Sequence, residues 1–111
     1  MESNRQKKVS RLLQKDLGEI FQFEAANWFS NVMITVTKVN VTADLSLARV
    51  YLSIFGKDAN DVISIVEMHN KTIRKKLGDR VKNQLRKIPE LKFFIDDSLD
   101  YLENIERLLK E

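Results

Sequence analysis

Two strand-like runs with a short connection between them constrain this chain more than anything else in it. Residues 33–41, M-I-T-V-T-K-V-N-V, are rich in β-branched side chains and contain neither glycine nor proline. Residues 47–55, L-A-R-V-Y-L-S-I-F, alternate: Ala48, Val50, Leu52 and Ile54 face one way, and Arg49, Tyr51 and Ser53 the other. Thr42-Ala43-Asp44-Leu45-Ser46 supplies the turn, with Asp44 and Ser46 as acceptors for backbone amides. The result is an antiparallel hairpin with one apolar face, and that face needs a cover. The apolar phase shifts between Val36 and Val39, so a bulge is expected near Thr37–Lys38.

Helical segments on both sides supply the cover. From residue 3 to about 25, Val9, Leu12, Leu13, Leu17, Ile20 and Phe21 follow an i, i+3, i+4 pattern, with Ser3 as N-cap. Asp16 falls near that apolar stripe without an evident partner. Asn27 to Asn31 break the pattern, and Trp28 and Phe29 there are expected to close the core edge rather than stack on a base. Gly56 releases the chain from the sheet. Asp58 or Asn60 caps a second helix carrying Val62, Ile63, Ile65, Val66 and Met68. At His69–Lys71 the chain either kinks or continues as one helix. After Pro89, Leu91, Phe93 and Ile95 alternate with Lys92, Phe94 and Asp96 as a third strand, parallel to one hairpin strand after its helical crossover. Asp97 ends that strand, Ser98 caps a last helix, and Leu99, Leu102, Ile105, Leu108 and Leu109 form its stripe. The order α-β-β-α-α-β-α gives a two-layer α+β domain, with a three-stranded sheet and helices on one face, spanning residues 1–111 as a single unit.

The stretch from Lys71 to Pro89 carries the chemistry. Ile73, Leu77, Val81 and Leu85 recur every four residues, so one helix is expected to run to Pro89, which ends it. At about 100° per residue, Lys71, Lys75, Lys82 and Arg86 fall opposite that stripe, with Lys76, Arg80 and Lys87 on its flanks. Arg74 is also basic, and Asp79 is the stretch's only acid. A mixed-sign helix face would be solvated equally well, so a nearly pure cationic edge points to a polyanion. Net charge is only +3 but unevenly placed. Residues 1–15 hold Arg5, Lys7, Lys8, Arg11 and Lys15 against Glu2, whereas residues 88–111 are acidic. Lys7, Lys8, Arg11 and Lys15 lie away from the first helix's apolar stripe and are expected to join Lys71, Arg74, Lys75, Lys76, Arg80, Lys82, Arg86 and Lys87 in gripping phosphates.

Other classes find little support. With no cysteine, neither a disulfide framework nor a thiolate metal site can form, and His69 is the only histidine. Asp96 and Asp97 are adjacent, so on a strand they point to opposite faces and make a poor acid–base pair. Gly56 and Gly78 stand alone, so no glycine-rich phosphate loop is present. Apolar runs are too short for a membrane span or signal core, so a cytoplasmic protein without cofactor or small-molecule substrate is expected. A protein-interaction scaffold docking through its acidic last helix is the alternative to RNA binding.

The segments R-x-x-x-V-x-x-x-L (Arg5 to Leu13), I-T-V-T-K-V-x-V-T-x-D-L-x-x-A-x-V-Y-L-S across the hairpin, I-R-K-K-L-G, and L-R-K-I-P-E-L-K-F-F-I-D-D-S-L together resemble ribosome-binding factor A. The resemblance runs from Arg5 to about Leu109. It implies a KH-like fold of the bacterial type (type II) with an αββααβ core. It also implies a non-catalytic, monomeric assembly factor, important in the cold, that binds the free small ribosomal subunit. The implied contact is with rRNA near the subunit neck, late in maturation. The family's interhelical kink, commonly Ala-x-Gly, is replaced here by His69-Asn70-Lys71. Between Gly78 and Pro89 the chain is about two residues longer than the family norm, and a short C-terminal end without an extended tail is expected.

Overall fold

The computed structural model describes residues 2–96. Helix α1 (Asn4–Trp28) leads into strands β1 (Met33–Val41) and β2 (Leu47–Phe55); helices α2 (Ala59–Met68) and α3 (Asn70–Val81) precede strand β3 (Glu90–Ile95). The sheet order is β1-β2-β3, with β1 antiparallel and β3 parallel to β2. Helices α1, α2 and α3 cover one face, giving the expected two-layer α+β fold. The expected last helix, with its Asp97 and Ser98 boundary, lies outside the described residues.

Local sequence explains the boundaries. Ser3 and Gln6 form a capping box at the start of α1, and the Gln6 amide, itself buried, also donates to the carbonyl of Val41 at 3.0 Å. The helix runs to Trp28, slightly past the expected end; Phe29 closes it and is buried, while Trp28 is half-buried against the core. The bulge appears where the apolar phase shifts, with Thr37 skipped between the Val36–Leu52 and Lys38–Tyr51 pairs. Gln14 on α1 donates to the carbonyls of Val36 and Thr37, tying the bulge to the helix layer. In the hairpin turn, Asp44 accepts from Ser46 Oγ, Thr42 Oγ1 and the Ser46 amide. Those hydrogen bonds, the Ser46 hydroxyl foremost, hold its carboxyl down at about 2. Gly56 leaves the sheet at φ +110°, where a Cβ would lie 2.2 Å from the carbonyl oxygen of Asn31. Only glycine fits there.

The core joins Leu13, Leu17 and Phe21 of α1 to Val50 and Leu52 of β2, Val62 and Val66 of α2, and Ile73, Leu77 and Val81 of α3. Phe21 meets Phe93 edge-on, with ring centroids 5.9 Å apart. On α2, capped by Asp58, Met68 departs from the expected stripe and points to solvent at 79% exposure.

The α2–α3 junction is a kink centred on His69, which caps both helices at φ −97°, ψ 10°. That conformation is open to any residue, so the turn forms without the family's glycine. The imidazole packs against Trp28 at 4.2 Å between ring centroids. Glu67 and Asn70 on either side bind the β3 edge: Glu67 Oε1 accepts from the Phe93 amide, and the Asn70 amide donates to the Leu91 carbonyl. These contacts cover a strand edge that would otherwise expose unpaired backbone groups.

The expected helix to Pro89 is not found. Helix α3 stops at Val81, and the amides of Gln84 and Leu85 turn back onto the Val81 carbonyl. The cause is tertiary. β3 must begin beside Ser46, whose carbonyl accepts from the Glu90 amide. Seven further helical residues would carry the chain about 10 Å along the helix axis. Leu85 still reaches the core edge, but from a loop. Lys82, Arg86 and Lys87 therefore sit on that loop and not on the helix.

Candidate nucleic-acid interface

The buried stripe Ile73, Leu77 and Val81 divides α3 into two flanks with different electrostatics. On the flank facing α1, Lys76 bonds Glu24 at 3.0 Å, and Arg80 bonds both Asp16, at 3.0 Å, and Glu19. Arg80 holds the Glu19 carboxyl below the ordinary carboxylate range and is itself raised by that partner; the Lys76 hydrogen bond likewise lowers Glu24. Asp16, without a partner in the linear reading, is thus one side of an interhelical seam. These cations are already matched.

Among the described residues, the opposite flank has no acidic partner. Lys71, Arg74, Lys75 and Gly78 of α3 face Arg86, Lys87 and Ile88 of the following loop across a depression of about 490 Å³. Among the described residues, its lining holds five cations and no carboxylate. Arg74 differs from the other four. Its Nε donates to the Pro89 carbonyl at 3.1 Å and its Nη2 to the Ile88 carbonyl at 2.7 Å. A planar guanidinium that forks onto two successive carbonyls fixes the loop's path. It sets Arg86 and Lys87 opposite Lys71 and Lys75. Sequence periodicity carried no sign of that role, because it depends on a loop the apolar pattern had absorbed into the helix. Lys82 lies on the same loop, exposed, outside the cleft lining.

The cations of α1 do not join this cleft. Lys7, Lys8, Arg11 and Lys15 are all exposed. Arg11 and Lys15 line a separate depression against Ile34–Val36 of β1, which Glu19 also borders. The acidic seam of Asp16, Glu19 and Glu24 stands between the two basic surfaces. Among the described residues, no group of three or more His, Cys, Asp or Glu is placed to hold a metal ion, and no helix is long and apolar enough to cross a membrane.

A two-layer αββααβ unit, kinked between its second and third helices and bearing a cationic cleft beside the kink, defines the class as KH-like α+β. Known structures share this fold. The crystal structure of ribosome-binding factor A from Thermus thermophilus superposes with a TM-score of 0.69 at 22% identity, covering 81% of this chain and 94% of that one. A homology model of the Thermus thermophilus factor, fitted into a cryo-EM map of its complex with the 30S subunit, gives 0.64 at 19% identity, covering 87% and 97%. The family model for ribosome-binding factor A matches residues 5–109. Ribosome-binding factor A of Flavobacterium johnsoniae is 50% identical over 98% of this chain and 85% of its own length. That of Chlorobaculum tepidum is 44% identical over 97% and 90%. The chain belongs to the ribosome-binding factor A family.

Proposed function

We propose that this protein is a non-catalytic assembly factor that binds the free small ribosomal subunit through its rRNA. The cleft between α3 and the 82–89 loop carries the reading: five cations with no carboxylate among the described lining residues, in a chain of this family. Lys71, Lys75, Arg86 and Lys87 grip phosphates, and Arg74 holds the loop that presents two of them. Such contacts recognise the shape of a folded RNA backbone rather than base sequence. Lys76 and Arg80, matched by Glu24, Asp16 and Glu19, serve the α1–α3 joint. The α1 cations form a second, peripheral contact.

A relative fitted into a map of a 30S complex supports the small subunit as partner. Occupying a site near the subunit neck, the protein would hold immature rRNA in one conformation late in maturation and exclude later partners. It acts as a monomer in the cytoplasm. The test is co-sedimentation in moderate salt. Recovery with free small subunits, and not with large subunits, is expected; equal recovery with both would reduce the cleft to a non-specific polycation.

A further inference from the structure

The sheet face turned away from the helices carries side chains that the cleft does not use. Strand register sets them in two cross-strand rows: Lys38, Tyr51 and Phe94 in one, Asn40, Arg49 and Lys92 in the next. Alternation puts all six opposite the buried Val39, Val50 and Phe93. The Tyr51 and Phe94 rings stack with 25° between their planes and 5.4 Å between centroids, and Lys92 Nζ lies 5.8 Å from the Phe94 ring centre. Lys38, Arg49 and Lys92 are exposed and the two rings half-buried. Neither row contains an acid; Glu90 and Asp96 flank them at the two ends of β3, with Asp96 accepting from Thr37 Oγ1 at 2.6 Å.

Stacked rings bordered by three cations on the sheet face suit unpaired nucleotides: a splayed base lies on an aromatic face while its phosphates reach the lysines and arginine. A duplex keeps its base faces stacked inside and cannot use the rings. We propose that this open face binds a single-stranded RNA segment, with the Tyr51–Phe94 pair stacking a base and Lys38, Arg49 and Lys92 holding the flanking phosphates. The proposal rests on the reading that RNA is the partner. To that reading it adds a further surface, distinct from the cleft and the α1 cations, and the strand state recognised there. The cleft then takes structured RNA and the sheet takes an unpaired segment beside it.

The experiment uses the full chain with two probes, a 5-bromouridine-containing oligouridylate and a blunt RNA hairpin. Photocrosslinking of the oligouridylate should modify Tyr51 or Phe94. Joint Tyr51→Leu and Phe94→Leu substitution should weaken oligouridylate binding about tenfold and hairpin binding less than twofold. Arg49→Glu, which leaves the rings in place, should reproduce the oligouridylate loss without relying on the packing of altered aromatics. Joint Lys75→Ala and Arg86→Ala substitution should show the opposite preference, weakening the hairpin more. Crosslinks confined to α3 and its loop, or unchanged oligouridylate affinity in both platform variants while the hairpin still binds, would overturn this proposal and leave the cleft reading standing. Failure of wild type to bind either probe would sink both. Two further results would assign the face to another occupant and overturn it: ring-to-methyl NOEs from Tyr51 and Phe94 to Leu99–Leu109 that persist with RNA, or a dimer abolished by Phe94→Leu.

Discussion

Replacing Arg74 should damage the cleft more than the loss of one charge can explain. Its two hydrogen bonds, 3.1 Å to the Pro89 carbonyl and 2.7 Å to the Ile88 carbonyl, bridge α3 to the loop just before β3 begins. Hydrogen bonds to charged groups contribute about 1.5–3 kcal/mol each when protected. Arg74 is half-buried and water can replace part of what is lost, so Arg74→Ala should cost about 1–3 kcal/mol in total. For a domain of this size that lowers Tm by roughly 5–15 °C. Arg74→Lys keeps the charge but cannot fork onto two carbonyls, so it should lose most of the same stability. Calorimetry gives the stability, and amide exchange at Lys87 and Glu90 reports the loop. Both variants should speed exchange there and weaken hairpin RNA binding, although Arg74→Lys removes no charge. If Arg74→Lys matched wild type in Tm, exchange and binding, the guanidinium would be one more surface cation and the positioning argument would be wrong.

Other consequences can be checked by unfolding. Leu52 is fully buried under the helices, so Leu52→Ala should cost about 2–5 kcal/mol in urea unfolding; a change under about half a kcal/mol would contradict its place in the core. Gly56→Ala meets both a left-handed φ and the Asn31 carbonyl, and should destabilise by about 1–3 kcal/mol, with Tm as the readout. Glu19 and Glu24 sit below their ordinary value of 4.5, and Asp44 falls from 3.8 to about 2. Groups depressed in the folded state stabilise it above their unfolded values, and that contribution is lost as pH falls through the folded ones. Stability should therefore decline on acidification below about pH 4.5 and continue to fall toward pH 2, and Arg80→Ala should flatten the upper part of that decline.

Local chemistry was legible in the sequence where the cause was local. The hairpin followed from alternation and an Asx turn, the bulge from a phase shift across two residues, the α1 cap from Ser3, and the α2 start from Asp58 or Asn60, of which the structure uses Asp58. Residues whose role depends on distant partners were not legible. Asp16 finds Arg80 sixty-four positions away, and no pattern near either announces the pair. The end of α3 was misread because Leu85 keeps the four-residue period while serving the core from a loop. What truncates the helix is the parallel strand that must start beside Ser46. The twelve basic residues were legible as a class, but their division was not. Arg74, Lys76 and Arg80 are engaged within the fold, four cations face one another across the cleft, Lys82 lies on the loop outside it, and the α1 set lies beyond an acidic seam.

The most direct measurement is the salt dependence of small-subunit binding for two variants compared with wild type. One carries Lys75→Ala and Arg86→Ala, on opposite walls of the cleft; the other carries Lys76→Ala, on the matched flank. Removing one cation that neutralises a phosphate should reduce the slope of log affinity against log salt by about 0.7–0.9. The cleft variant should therefore lose about 1.4–1.8 from that slope, keep its Tm, and bind poorly in low salt. Lys76→Ala should leave the slope near wild type, because its charge is spent on Glu24. A wild-type slope in the cleft variant, or an equal fall in both, would contradict phosphate gripping by the cleft.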